Sequence, residues 1–148
     1  MRPWRVGLLL MLALAVVPDV GRSDPSTGLS VRLRQIEGAF RDGSAASLRS
    51  SLASSGKVRL DLDELTPGPA SYAPGQLQVI FARLFEGRQT RTFAFHTRNV
   101  ADSGSGTAFA RGTWTWQGRQ GGQGALTLTF VLSEEKGDWR VREIMTSR

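Results

Sequence analysis

The sequence predicts an α+β fold, in which a curved antiparallel sheet wraps around two N-terminal helices and a third helix. Two kinds of apolar spacing support this prediction. Apolar residues recur every three or four positions over residues 29–40 and 77–85, which is the spacing of one helix face. From residue 90 onward apolar and polar residues alternate, as they do in half-buried strands. Helices followed by a run of strands indicate a layer of helices on one face of a sheet.

Local signals divide these stretches into elements. Asp42 and Gly43 end the first helix, because glycine readily takes the left-handed conformation of a helix C-terminus. Ser44 caps a short second helix, and Pro74 suits the first turn of the third. The predicted strands are residues 57–63, 90–100, 107–117, 125–133 and 138–146, of which the last four form an antiparallel meander.

The N-terminus is typical of a secretory signal peptide. Arg2 and Arg5 precede an uncharged, mostly apolar run over residues 6–17, which Pro18 ends. The run is too short to span a hydrocarbon core of about 30 Å, since that needs about 20 apolar residues. We therefore predict a signal peptide over residues 1–23.

Cleavage near Ser23 would leave residues 24–28 as a short flexible N-terminus and residues 29–146 as a single domain. The predicted location is periplasmic or secreted. A lipid anchor on an N-terminal cysteine is excluded because the sequence has no cysteine. The alternative is an uncleaved membrane anchor, which is the one membrane association that the sequence suggests.

Composition excludes several classes of protein. A chain of 148 residues is too short for a two-domain enzyme or a large barrel. The absence of cysteine excludes a disulfide scaffold, a thiol nucleophile and a thiolate metal site, and the single histidine excludes a site built on two histidines. The oxygen-rich clusters show no calcium-loop pattern. We expect neither a cofactor nor a metal ion.

The charge of the chain is basic but dispersed. Removal of residues 1–23 takes away three arginines and one aspartate, which lowers the formal net charge from +6 to about +4. The remaining arginines often adjoin acids, as in Arg41-Asp42 and Arg142-Glu143, and form no basic run. We therefore expect no nucleic-acid partner. That alternative rests on the high isoelectric point alone and predicts an affinity that falls steeply with salt.

Three segments carry a family resemblance. Tyr72-Ala-Pro-Gly-Gln76 opens the third helix, Phe109-Ala-Arg-Gly-Thr-Trp114 lies in a central strand, and Trp139-Arg-Val-Arg-Glu-Ile144 lies in the last strand. Together with the element order, they resemble the nuclear transport factor 2-like superfamily, which includes ketosteroid isomerases and polyketide cyclases, and above all its branch of exported bacterial domains of unknown function. Ala73 stands where that branch usually has a capping serine. The resemblance implies a cone-shaped, cystatin-like fold, and a fold does not imply a function.

The resemblance also suggests where catalytic residues would lie. Enzymes of this superfamily place a carboxylate base inside the cone, together with a tyrosine or a protonated aspartate that polarises a carbonyl group. The candidates for these roles here are Asp61, Asp63, Tyr72 and His96. Asp61 and Asp63 fall on the polar face of the predicted strand, so they are also interpretable as solvated charges. Tyr72 is equally consistent with packing at the start of the third helix. His96 fits the outer surface of the sheet or a dimer contact.

The candidate binding residues are Trp114, Trp116 and Arg111. The two tryptophans share one strand face with small residues, an arrangement that can line the mouth of a pocket or form an interface patch. The same pair can instead cover the core of the sheet, because aromatic residues are favoured in strands. Both interpretations stay open.

Two functional hypotheses follow. In the first, the chain is an exported, non-enzymatic module that binds a small apolar ligand or a protein partner, and it forms a homodimer through the outer face of its sheet. In the alternative, it is a small isomerase- or cyclase-type enzyme that uses Asp61 or Asp63 as a base. A buried aspartate near Tyr72 or His96 would favour the enzyme, and exposed carboxylates would exclude it.

Overall fold

The computed structural model describes residues 25–101 and 104–147, and it confirms the α+β class. The predicted signal peptide, residues 1–23, lies outside the described residues. None of the described helices is both long enough and apolar enough to cross a membrane. The helices are α1 (Pro25–Asp42), α2 (Ala45–Arg49) and α3 (Pro74–Gly87), with a 3-10 turn at Asp63–Leu65. The strands are β1 (Val58–Asp61), β2 (Ala70–Tyr72), β3 (Arg88–Val100), β4 (Thr107–Gly118), β5 (Gln123–Glu135) and β6 (Asp138–Thr146).

The six strands form one sheet in the order β2-β1-β6-β5-β4-β3. The strands from β3 to β6 pair as the predicted antiparallel meander. One pairing is parallel: β1 runs alongside β6, with Arg59 opposite Glu143. A parallel pair needs a long crossover, and here α3 and the meander together supply it.

The differences from the sequence-based expectation include two boundaries and one additional strand. The helix α1 begins at Pro25 rather than at residue 29, so residues 25–28 are helical. The strand β1 ends at Asp61 rather than at Asp63. The proline-rich loop before α3 contains a short edge strand, β2, whose Tyr72 lies opposite Val58.

Phe40, on α1, lies at the centre of the space between the helices and the sheet. It is fully buried, and its ring stacks on Phe93 with centroids 4.3 Å apart. Its edge-on ring neighbours, with centroids 5.4 to 6.0 Å away, are Phe81, Phe85, Trp114 and Phe130. Aromatic side chains from α1, α3 and three strands therefore fill the interior of the cone.

Arg32 joins α1 to the turn between β5 and β6. Its Nη2 donates to the two carboxylate oxygens of Asp138 at 2.8 and 3.0 Å, and its Nε donates to the carbonyl oxygen of Trp139 at 2.7 Å. Arg140 lies 2.8 Å from the same carboxylate. Burial by itself raises the pKa of Asp138, but the hydrogen bonds and charges of the two arginines together lower that pKa below its ordinary value.

Candidate functional site

The two candidate aspartates do not share a strand face as the sequence predicted. Asp61 is the last residue of β1 and is half-buried, whereas Asp63 is exposed and begins the 3-10 turn with a φ of 49°. The strand ends because Thr66 accepts the backbone N–H of Leu62 with its Oγ1 at 3.1 Å, which turns the chain. Leu62 stays fully buried while Asp63 is directed to solvent.

The candidate catalytic residues are not brought together. Tyr72 lies in β2 and His96 in β3, and these strands are the two opposite edges of the sheet. Asp61 and Tyr72 lie on opposite faces of the sheet. Tyr72 pairs with the buried Val58 and shares its face, whereas Asp61, which pairs with Met145, is three residues after Val58 in β1 and so lies on the other face. The exposed His96 ring contacts threonine hydroxyls at 3.2 and 3.3 Å. Within residues 25–101 and 104–147, no three metal-ligating side chains cluster.

The three candidate binding residues are divided between the two faces of the sheet. Trp114 is fully buried, and its Nε1 donates to Thr90 Oγ1 at 2.9 Å, so it belongs to the core. Arg111 is exposed on the outer face. Trp116 shares the inner face with Trp114 but is only half-buried, so it alone of the pair offers atoms to a partner.

Neighbouring groups hold the indole of Trp116 in place. Its ring centroid lies 4.6 Å from that of Trp114 at an interplanar angle of 45°. The guanidinium carbon of Arg88 lies 5.7 Å from the ring centroid, within the range of a cation–π contact. Gly124, opposite on β5, has no side chain and so leaves room for the ring. The aromatic surface is therefore oriented before any partner arrives.

Trp116 forms one wall of an open cleft of about 500 Å³ between the 3-10 turn and the paired ends of β4 and β5. The half-buried Leu65 and Leu126 add apolar surface, and the exposed Asp63 and Glu64 lie on its rim. We call this the Trp116 cleft. Sequence reasoning identified Trp116 but missed Leu65 and Leu126, because only the fold brings the turn after β1 to the start of β5.

The charges around Trp116 are unequal on its two sides. Arg88 and Arg119 line a neighbouring cleft that also contains Trp116, and Arg91 lines a third. Trp116 therefore adjoins one cleft that carries two carboxylates and two clefts in which arginines outnumber the one carboxylate, Glu86. This arrangement can hold an apolar group with polar neighbours on both sides.

No protein-family model matches the sequence, and no curated protein matches it either. Solved structures do match. A DUF4783 family protein from Bacteroides uniformis superposes with a TM-score of 0.63 at 15% identity, covering 78% of this chain and 94% of that one. An NTF-2 like protein of unknown function from Shewanella oneidensis superposes with a TM-score of 0.65 at 11% identity, covering 84% of this chain and 100% of that one.

The chain has the nuclear transport factor 2-like fold. The cone-shaped fold that the resemblance implied is confirmed, with its curved open sheet. At these identities the similarity carries the fold alone. The function of this domain has to be argued from its own side chains.

Proposed function

We propose that this domain is a non-enzymatic interaction module that binds a protein partner through the Trp116 cleft. The observation that carries the proposal is the filling of the cone interior around Phe40 and Trp114. A catalytic site of the expected type needs an interior cavity where substrate lies beside the base. Here aromatic rings occupy that space, and the exposed Asp63 lies outside it.

The Trp116 cleft supports the proposal because an oriented aromatic group is a strong anchor for binding. Tryptophan is enriched among the residues that dominate binding energy, especially where other apolar groups surround it. Leu65 and Leu126 supply such groups. Arg88 and Gly124 already fix the ring, so little side-chain freedom is lost when a partner binds.

The openness of the cleft favours a protein over a small apolar ligand. Small-ligand sites usually bury most of the ligand surface in an apolar cavity. The Trp116 cleft instead lies on the surface and carries Asp63 and Glu64 on its rim. An apolar side chain of a partner, with polar or basic neighbours, fits this combination of surfaces.

The test is native mass spectrometry of the full chain purified from its own host, with a Trp116→Ala variant beside it. Val79→Ala is the control, because Val79 is an exposed apolar residue on α3, 52% accessible and outside the cleft. We expect wild type and Val79→Ala to carry the same partner protein and Trp116→Ala to lose it. A bound small molecule instead of a protein would show that the proposed kind of partner is wrong. Equal binding by wild type, Trp116→Ala and Val79→Ala would exclude the Trp116 cleft as the binding site.

Self-association through the outer face of the sheet is the second candidate. Phe109 is 43% accessible near the start of β4 on this face, and the half-buried Val131 lies opposite it on β5. A second copy would cover this apolar surface. The mass of the native species distinguishes the two candidates, since Phe109→Ser would abolish a dimer and leave the Trp116 cleft unchanged.

Export is a further part of the proposal and is supported by the uncharged run over residues 6–17. The N-terminal sequence of the protein recovered from its host tests it. A start near Asp24 requires a cleaved signal peptide, and a start at Met1 or at the residue after it would overturn that prediction.

A further inference from the structure

A β-bulge at His96 changes which face of the sheet the end of β3 presents. Phe95 lies opposite Gly112, and the register then shifts so that Arg98 lies opposite the buried Ala110. Simple alternation would place Arg98 on the same face as His96. The extra residue instead moves Arg98 to the face that α1 covers.

The groups around the bulge fix one carboxylate and leave two arginines without an acidic partner. Arg98 Nη1 donates to Ser30 Oγ of α1 at 2.6 Å. Glu37 Oε1 accepts the backbone N–H of Phe95 at 2.9 Å, so this carboxylate is held by the bulged strand. Arg34 lies on α1 one turn after Ser30, and within the described ranges neither it nor Arg98 forms an ion pair.

These groups line a cleft of about 440 Å³ between α1 and β3, which contains none of the residues of the Trp116 cleft. Its apolar base is Leu33 and Phe95, and Arg34, Arg98 and His96 surround it. We propose that this cleft binds a small oxyanion, a carboxylate or a phosphate, through Arg34 and Arg98.

The chemistry of the lining selects this class of ligand. A guanidinium group donates two parallel hydrogen bonds to a carboxylate or a phosphate, and such charge-assisted bonds are stronger than neutral ones. Arg98 is already oriented by Ser30. The carboxylate of Glu37 offsets part of the positive charge, which favours a small anion over a polyanion such as a nucleic acid.

The backbone N–H of Phe95 is a reporter within this cleft, because it donates to Glu37 Oε1 there. The amide resonance of Phe95 is followed by NMR in the full chain during titration with inorganic phosphate and, separately, with acetate. Sodium chloride keeps the ionic strength constant, and the pH is fixed. We expect a saturable shift with at least one of the two anions, and the responding arm distinguishes phosphate from carboxylate.

Three variants make the result specific. Arg98→Gln and Arg34→Gln should each weaken binding by about tenfold, since each removes a charge-assisted pair of hydrogen bonds. Arg83→Gln, an exposed arginine on α3 outside the cleft, should leave it unchanged. If circular dichroism shows that Arg98→Gln disturbs the fold, the variant of the exposed Arg34 still provides the test. The proposal would be overturned if sodium chloride alone reproduced the shift, or if Arg83→Gln weakened binding as much as Arg98→Gln and Arg34→Gln. Neither result would bear on the proposal for the Trp116 cleft.

Discussion

The indole of Trp116 covers the backbone of Gly124 so closely that a Cβ at position 124 would overlap it. The two residues lie opposite each other in the register of β4 and β5. The atoms that such a Cβ would meet are Cζ2, Cε2 and Nε1 of the ring. The glycine is therefore part of the Trp116 cleft, because it determines where the aromatic surface lies.

Gly124→Ala should displace the indole and damage the cleft without removing an aromatic residue. Overpacking of this kind costs about 1–3 kcal/mol of the free energy of unfolding, and we expect partner binding to fall as it does for Trp116→Ala. Urea unfolding and near-ultraviolet circular dichroism measure the two effects.

Gly38→Ala is the control for that substitution. An added Cβ at Gly38, inside α1, meets no atom within 4 Å, so the helix should gain about 0.5–1 kcal/mol. If Gly124→Ala and Gly38→Ala had the same free energy of unfolding and the same partner binding, Gly124 would not be the residue that positions Trp116.

Phe40→Ala tests whether the cone interior is a packed core. Removing a fully buried phenylalanine leaves a cavity and should lower the free energy of unfolding by about 3–5 kcal/mol. The apolar cavity should also bind benzene, which wild type should not bind. Val79→Ala, which shortens an exposed valine on α3, should change stability by no more than about 0.5 kcal/mol. Benzene binding by wild type with the same affinity would mean that the interior already holds a cavity.

The elements with long apolar repeats were predictable, and the features set by distant contacts were not. Residues 77–85 carry a helical stripe that specifies α3 without knowledge of its neighbours. The strand β2, Ala70–Tyr72, is too short to show a period and exists because it pairs with β1. Alternation by itself would put Arg98 on the same face as His96, and the sequence does not reveal the exception because a bulge leaves no periodic signal. Trp114 and Trp116 look alike in sequence, and only the packing distinguishes the core residue from the cleft residue.

Ala73→Ser should stabilise the start of α3. Ala73 has the extended backbone of an N-cap but no side-chain acceptor, and Gln76 already accepts its backbone N–H at 2.9 Å. A serine hydroxyl would complete the capping box and add about 1 kcal/mol to the free energy of unfolding. Thermal or urea unfolding measures the gain.

The reverse substitution on α2 provides the comparison for Ala73→Ser. Ser44 Oγ accepts the backbone N–H of Ser47 at 3.2 Å, so Ser44→Ala should cost about 1 kcal/mol. A loss of stability in Ala73→Ser would show that the N-cap geometry of α3 cannot use a hydroxyl.

Asp138→Asn should reduce the sensitivity of the fold to acid. Arg32 and Arg140 lower the pKa of Asp138 against the opposing effect of burial. The stabilisation of the fold that follows from this lowered pKa is complete above about pH 4, the ordinary pKa of an aspartate. That stabilisation is lost as the pH falls through the lowered pKa of the folded state. The urea midpoint of Asp138→Asn should therefore lie below that of wild type at neutral pH and decrease less on acidification. Glu86→Gln, which removes an exposed carboxylate on α3, should keep the wild-type dependence of the urea midpoint on pH. If Asp138→Asn also kept that dependence, the contacts of Asp138 with the two arginines would not be its cause.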